Sequence, residues 1–237
     1  MIVIPMLGKS SRFFEAGYSL PKYQLPLGGE TVFAKTMRTF EKQFSSVHFL
    51  FLIRADHDSL AFVTKEIIRL GIKDFRVIEF HRETRGQAES VAEGIVDYDS
   101  KLPLIIFNID TIRMNFEMPQ QRDFGDGFLE VFQAEGTGWS FVEPGSNNKV
   151  VRTTEKKRIS SLCSNGLYGF AKSNDFRLAF QDYIDSGAHV DGEIYIAPLY
   201  NYLIKRGANI KYRIVDEKFI KHCGVPNDYE FLKASLR

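Results

Sequence analysis

The sequence predicts an α/β fold, Rossmann-like, with a mixed but mainly parallel central sheet flanked by helices. Three observations predict it. Up to about residue 112, uninterrupted apolar runs alternate with segments of helical periodicity, the pattern of βαβ units with right-handed crossovers. After Asp110 the texture changes to short aromatic and β-branched segments separated by Gly, Asn and Pro, which read as strands extending or flanking that sheet. Finally, 237 residues suffice for one substantial core, and no repeat, low-complexity tract or linker divides them. The expectation is one domain over 1–237, with halves of about 1–112 and 113–237.

Taken in order, Ile2 to Met6 is a short apolar run ending in a glycine-containing loop, which suits a buried parallel strand. Thr31 to Lys42 places Val32, Phe33, Thr36, Met37 and Phe40 on one helical face, with Thr31 available as N-cap. Val47 to Ile53 is the second strand, and Asp58 to Leu70 is a helix that stops at Gly71. "FRVIEF", a helix over Gln87 to Val96, and "LPLIIFNI" complete the alternating part. Then "FLEVFQA", "GWSFVEP", "KVVRTTEK" and "NGLYGFAK" read as strands, and Asn174–Asp185 and Glu193–Lys205 as helices. "NIKYRIVD" is a last strand, and Pro226 is placed to open a final helix at its first turn.

Composition narrows the class of protein. With 44% hydrophobic and 26% charged residues, the chain has the make-up of an ordinary globular protein. A formal charge of +1 gives neither a basic field for nucleic acid nor a polybasic membrane anchor. Cys163 and Cys223 fit no metal spacing or disulfide framework, which points to a reduced, cytoplasmic setting. "MIVIPMLG" lacks the basic start and the length of a signal peptide.

Chemistry concentrates after the strands, because open α/β sheets bind ligands at the carboxyl ends of their strands. The loop after the first strand carries Leu7, Gly8, Lys9, Ser10, Ser11 and Arg12. Gly8 lets backbone amides approach an anion, the serines add hydroxyls, and Arg12 offers a fork matched to phosphate oxygens. By itself such a loop also reads as a solvated turn, and it is neither a Walker loop nor a dinucleotide fingerprint. In "LPK", Pro21 fixes its own backbone and biases Leu20 towards extended geometry, so Lys22 leaves in a defined direction towards a second anion. Asp110 follows the apolar run of "IIFNIDT", where it serves either as a ligand for a hard cation or as the cap of the next turn.

Together these pieces resemble the sugar-phosphate nucleotidyltransferases, the glucose-1-phosphate thymidylyltransferase and uridylyltransferase group. "LGKSSRF", "LPKYQLPLGGET", "TRGQAESV" and "FNIDT" are similar to that family's phosphate loop, lysine motif, base-binding segment and metal-bearing strand end. "VVRTTEKKRISSLCSNGLYGF", "DGEIYIAPLYNYLIKRG" and "CGVPNDYEFLKAS" continue the likeness in the same order to the end of the chain. The resemblance implies a GT-A-like nucleotidyltransferase domain, a nucleotide-binding half followed by an acceptor-binding half. It implies a reaction in which a small phosphate attacks the α-phosphate of a nucleoside triphosphate and expels pyrophosphate.

By residue, the likeness gives Arg12 the triphosphate and leaving pyrophosphate, and Lys22 the α-phosphate and its attacker. Leu7, Gly8, Lys9, Ser10, Ser11, Gly86, Gln87 and Asn108 would contact the nucleotide. Asp110 would hold Mg²⁺, with Mn²⁺ the alternative. Glu155, Lys156, Gly166 and Glu193 would face the acceptor, Lys156 on its phosphate. Two positions depart from the family pattern. Ser10 stands where a second glycine is usual, and His222 stands where the family has a second metal-binding Asp. His222 suits Mn²⁺ or Zn²⁺ better than Mg²⁺, or bonds a phosphate, or is simply packed.

The short "RGQA" segment resembles the branches that use pyrimidine triphosphates, CTP, UTP or dTTP, and the implied product suits capsule or other surface-polysaccharide synthesis. Two alternatives stand beside this. One is a GT-A glycosyltransferase consuming a nucleotide sugar, although Asn108-Ile109-Asp110 replaces its usual Asp-x-Asp. The other is a non-catalytic regulator that binds nucleotide or sugar phosphate.

Overall fold

The structure, a computed structural model, describes residues 1–188 and 192–236, so Asp191 of the "DGEIY" motif lies outside the described residues. Its fold class is the expected one, a mixed sheet flanked by helices. The chain forms two compact units. One comprises Ile2–Glu83, Asn108–Glu117 and Lys218–Arg237, and the other comprises Met1, Thr84–Phe107 and Met118–Glu217.

In the first unit the strands Ile2–Met6, Phe49–Arg54 and Phe75–Phe80 run parallel, with Ile2 opposite Phe49 and Phe49 opposite Phe75. Every residue of Ile2–Met6 is buried, which is why that strand reads as an unbroken apolar run. The Thr31 hydroxyl caps the helix Val32–Met37 by accepting from the Ala34 N–H at 3.1 Å. Beyond Met37 the chain tightens into a 3₁₀ segment, Arg38–Gln43, where the expected α-helix to Lys42 gives way; Phe40 has φ −107° there. The helix Ser59–Leu70 ends at Gly71, whose φ of +79° suits a residue without Cβ.

Phe13, Leu25, Leu27, Val32, Cys223, Tyr229 and Leu232 form a common buried cluster. It clamps the segment after the first strand against the closing helix Pro226–Ser235, which Pro226 opens as expected. A short antiparallel ribbon, Thr111–Arg113 with Ile220–His222, has no counterpart in the expectations. It sets His222 opposite Thr111.

In the second unit, Leu162–Phe170 is buried along its length and pairs antiparallel with Leu104–Phe107 and Gly127–Gln133. Ser140–Pro144 joins it through Cys163 and Phe141, and Val150–Glu155 pairs with Ser140–Pro144. Ile210–Ile214 runs parallel to Gly127–Gln133. Helices Gln87–Gly94, Ser173–Ser186 and Tyr200–Lys205 belong to this unit. The last differs from the expected Glu193–Lys205. Ile194 is tied by backbone hydrogen bonds to Arg85 and Ala88, and Pro198 lacks a backbone donor, so regular helix begins only at Tyr200. Among the described residues no helix is long and apolar enough to cross a membrane.

Candidate active site

In the first unit, the residues 7–12 leave the first strand and turn at Ser10, which adopts a left-handed backbone with φ +53°. The Ser10 carbonyl accepts from the N–H groups of Phe13 and Phe14 at 2.9 and 3.2 Å, opening the short helix Ser11–Glu15. Phe13 is buried while Ser11 and Arg12 remain exposed. A Cβ added at Gly8 would meet nothing within 4 Å, so the space a side chain would take is open. Lys9 ion-pairs with Glu83 at 2.7 Å in an exposed setting.

Pro21 is extended, and Lys22 opens a 3₁₀ turn over Lys22–Gln24. The Lys22 backbone N–H donates to the Ser10 Oγ at 3.1 Å, so the serine that departs from the family pattern ties the loop to the lysine. Lys22 Nζ in turn donates to Asp110 Oδ2 at 2.5 Å, and these side chains are only 19% and 21% exposed.

Asp110 lies three residues past its strand, which ends at Phe107. Its main-chain carbonyl accepts from the Cys223 N–H at 2.9 Å. A Cβ at Gly224 would approach Asp110 Oδ2 to 3.0 Å, so the turn at 223–224 packs closely on the carboxylate. Burial pushes the Asp110 carboxyl up, but the charge and hydrogen bond of Lys22, with a further contribution from His222, hold it below the ordinary aspartate value. Burial and the Asp110 charge push the Cys223 thiol well above its ordinary value, and the side chain packs in the buried cluster with Phe13 and Tyr229.

Among the described residues no group of three or more His, Cys, Asp and Glu side chains is placed to hold a metal ion by protein ligands alone. One carboxylate with an imidazole nearby still fits a divalent ion that takes most of its ligands from substrate phosphates and water.

The second unit gathers the other predicted residues. Glu155 ends the strand Val150–Glu155, and the Ser140 hydroxyl donates to its carboxylate. Burial and the nearby Glu193 charge push the Glu155 carboxyl up, opposed by the Ser140 hydrogen bond and the Lys156 charge. Lys156, left-handed at φ +53°, holds its ammonium 5.0 Å from the centre of the Tyr195 ring. The Tyr195 hydroxyl donates to Glu193. Tyr168, buried, lies 3.4 Å from the Ser140 hydroxyl, and burial beside Glu155 pushes its phenol up to about 12.

Gly86 precedes the helix Gln87–Gly94 with φ +135°. A Cβ there would fall 2.7–2.9 Å from Ile194 O, Ile194 N and Glu193 Cγ, so its missing side chain allows the segment carrying Glu193 to pass directly against it. Gly166, at φ +90°, sits in the irregular stretch of Leu162–Phe170 where the pairing register shifts.

The structure thus brings Ser10, Lys22, Asp110 and His222 together, and separately Gly86, Glu155, Lys156 and Glu193. Sequence reasoning did not single out Ser140 or Tyr195, and it read Tyr168 only as core and Gly224 only as part of a motif. Tyr195 carried a signal in its place two residues after Glu193 in "GEIY".

Neither a family model nor a curated protein matches the chain. Solved structures do. A nucleoside-diphosphate-sugar pyrophosphorylase from Vibrio cholerae RC9 is 44% identical, with 99% of this chain and all of that one covered and a TM-score of 0.94. The inositol-1-phosphate CTP transferase from T. maritima is 14% identical over 99% of this chain and 95% of that one, at a TM-score of 0.75. A UDP-glucose pyrophosphorylase complexed with UDP-glucose is 13% identical over 99% and 97%, at 0.77. The last two likenesses are of fold.

Proposed function

The chain belongs to the sugar-phosphate nucleotidyltransferases, and we propose that it joins a pyrimidine nucleoside triphosphate to a sugar phosphate or similar small phosphate, releasing pyrophosphate. The observation that carries this reading is the Lys22–Asp110 pair, tied through Ser10 to the glycine-containing loop that follows the parallel strand Ile2–Met6 and presents Arg12. Transfer of this kind depends on positioning and charge neutralisation, with no covalent help from the protein. Arg12 faces the β- and γ-phosphates and the pyrophosphate they become. Gly8, Lys9, Ser10 and Ser11, with the Leu7 backbone, line the triphosphate, and the open space at Gly8 leaves room for it.

Lys22 neutralises the α-phosphate and the attacking phosphate, whose negative charges otherwise repel. Asp110, with His222 beside it, would hold Mg²⁺ or Mn²⁺, which when bound neutralises phosphate charge. Gln87 and Asn108 border the nucleotide. Lys156 takes the acceptor phosphate, while Glu155, Glu193 and the Gly166 backbone take its other groups. A product of this class feeds surface-polysaccharide assembly, and the cytoplasm, where the triphosphates are, suits the reaction.

The test is the melting temperature with each of CTP, UTP, dTTP, GTP and ATP, with and without Mg²⁺. Ligand at about 100 times Kd stabilises by about 2.7 kcal/mol. One pyrimidine triphosphate should stand out, more so with Mg²⁺. A response to nucleotide sugars or diphosphates alone would favour the glycosyltransferase or regulator instead.

A further inference from the structure

Tyr195 is given no task by this reading, yet it touches two residues that have one. Its ring lies under the Lys156 ammonium, 5.0 Å from centre to Nζ, and its hydroxyl donates to the Glu193 carboxylate. A lysine on its flexible four-carbon stem gives up rotamer freedom when it grips an anion. An aromatic face beneath the ammonium removes part of that freedom beforehand.

The ring is itself well anchored. Ile194 is fully buried, donates to the Arg85 carbonyl at 2.6 Å and accepts from the Ala88 N–H at 3.1 Å. Gly86 closes on the same backbone with no room for a Cβ. Tyr195 therefore stands on a fixed stretch of chain, with the Lys156 cation over its ring and within reach of its hydroxyl, and the Glu193 anion at its tip.

We propose that Tyr195 is a positioning residue for the acceptor: its ring and hydroxyl set Lys156, and its hydroxyl also sets Glu193. The acceptor is then a molecule carrying a phosphate and, apart from it, a hydrogen-bond donor such as a hydroxyl or amino group, and it meets both partners already in place. This rests on the reading of Lys156 and Glu193 as acceptor contacts.

The test is steady-state kinetics of Tyr195→Leu, Tyr195→Phe, Lys156→Ala and the Tyr195→Leu/Lys156→Ala double variant. The acceptor used is whichever of glucose 1-phosphate, mannose 1-phosphate, a heptose 1-phosphate and phosphocholine turns over fastest in the wild type. Losing the ring should raise the acceptor KM by about 3- to 30-fold, the range of a cation–π contact, with the triphosphate KM unchanged. Tyr195→Phe keeps the ring but not the hydroxyl and should recover part of that loss. In the Lys156→Ala background, Tyr195→Leu should add little.

An unchanged or lowered acceptor KM in Tyr195→Leu, with Lys156→Ala impaired, overturns the proposal and leaves the acceptor site standing. An unimpaired Lys156→Ala, or no turnover with any acceptor, removes the acceptor-site reading and this proposal with it.

Discussion

Breaking the pair of Lys22 and Asp110 should cost both stability and turnover, and the two costs can be separated. The ammonium and carboxylate lie 2.5 Å apart, each about a fifth exposed. Removing one partner of a fully buried pair costs about 3–5 kcal/mol, and an exposed pair is worth about 0.2–1 kcal/mol. With this exposure Lys22→Met, which keeps the aliphatic stem, should destabilise by about 2 kcal/mol. In a chain of this size that lowers the melting temperature by roughly 4–8 °C.

Asp110→Asn should cost a similar amount, and the double variant should cost less than the sum by about 1–2 kcal/mol, the signature of a direct contact. Urea unfolding of the four proteins measures the coupling. Turnover of Lys22→Met should fall at least about 100-fold at a temperature where it is folded, if Lys22 grips the reacting phosphates as proposed. Additivity within about 0.5 kcal/mol, or wild-type turnover in Lys22→Met, would refute the reasoning.

Further outcomes follow from other contacts. Gly86→Ala should destabilise by about 2–4 kcal/mol in thermal melts, since its Cβ would fall 2.7–2.9 Å from Ile194 and Glu193 atoms and φ is +135°. Gly224→Ala should leave the fold in place by circular dichroism but cut kcat by about tenfold, because the new Cβ presses Asp110 Oδ2 from 3.0 Å. Glu155→Gln should melt higher than wild type at neutral pH while losing acceptor binding. The Glu155 carboxyl is raised above its ordinary 4.5 by burial, so its contribution to stability is intact below that value and is lost as pH rises through the raised one. Melts across about pH 4–8 should therefore show the advantage of the variant growing with pH; an advantage that shrinks with pH would count against a buried Glu155.

Much of this architecture was legible because local signals agreed with the fold. The run Ile2–Met6 reads as a buried strand because every residue in it is buried. Thr31, Gly71 and Pro226 marked helix ends through side-chain and backbone chemistry that needs no partner from afar. Some misreadings came from distant contacts, others from local backbone at Phe40 and Pro198. The segment after Glu193 has helical periodicity, but its first residues bond to Arg85 and Ala88, about a hundred positions earlier. The ribbon that sets His222 opposite Thr111 joins three-residue strands too short to show a pattern.

Within the site, Lys22 and Asp110 stood out separately, 88 positions apart, and their contact is a property of the fold alone. Ser10 looked like a departure from the family pattern; its hydroxyl holds the Lys22 backbone, a use that the sequence could not display.

The most direct test of the account is pyrophosphate release by the wild type and Lys22→Met with CTP, UTP or dTTP, Mg²⁺ and a panel of sugar phosphates and phosphocholine. The account predicts release that requires both triphosphate and acceptor in the wild type, and almost none in the folded variant. Release without an acceptor, or equal release by the two proteins, would contradict it.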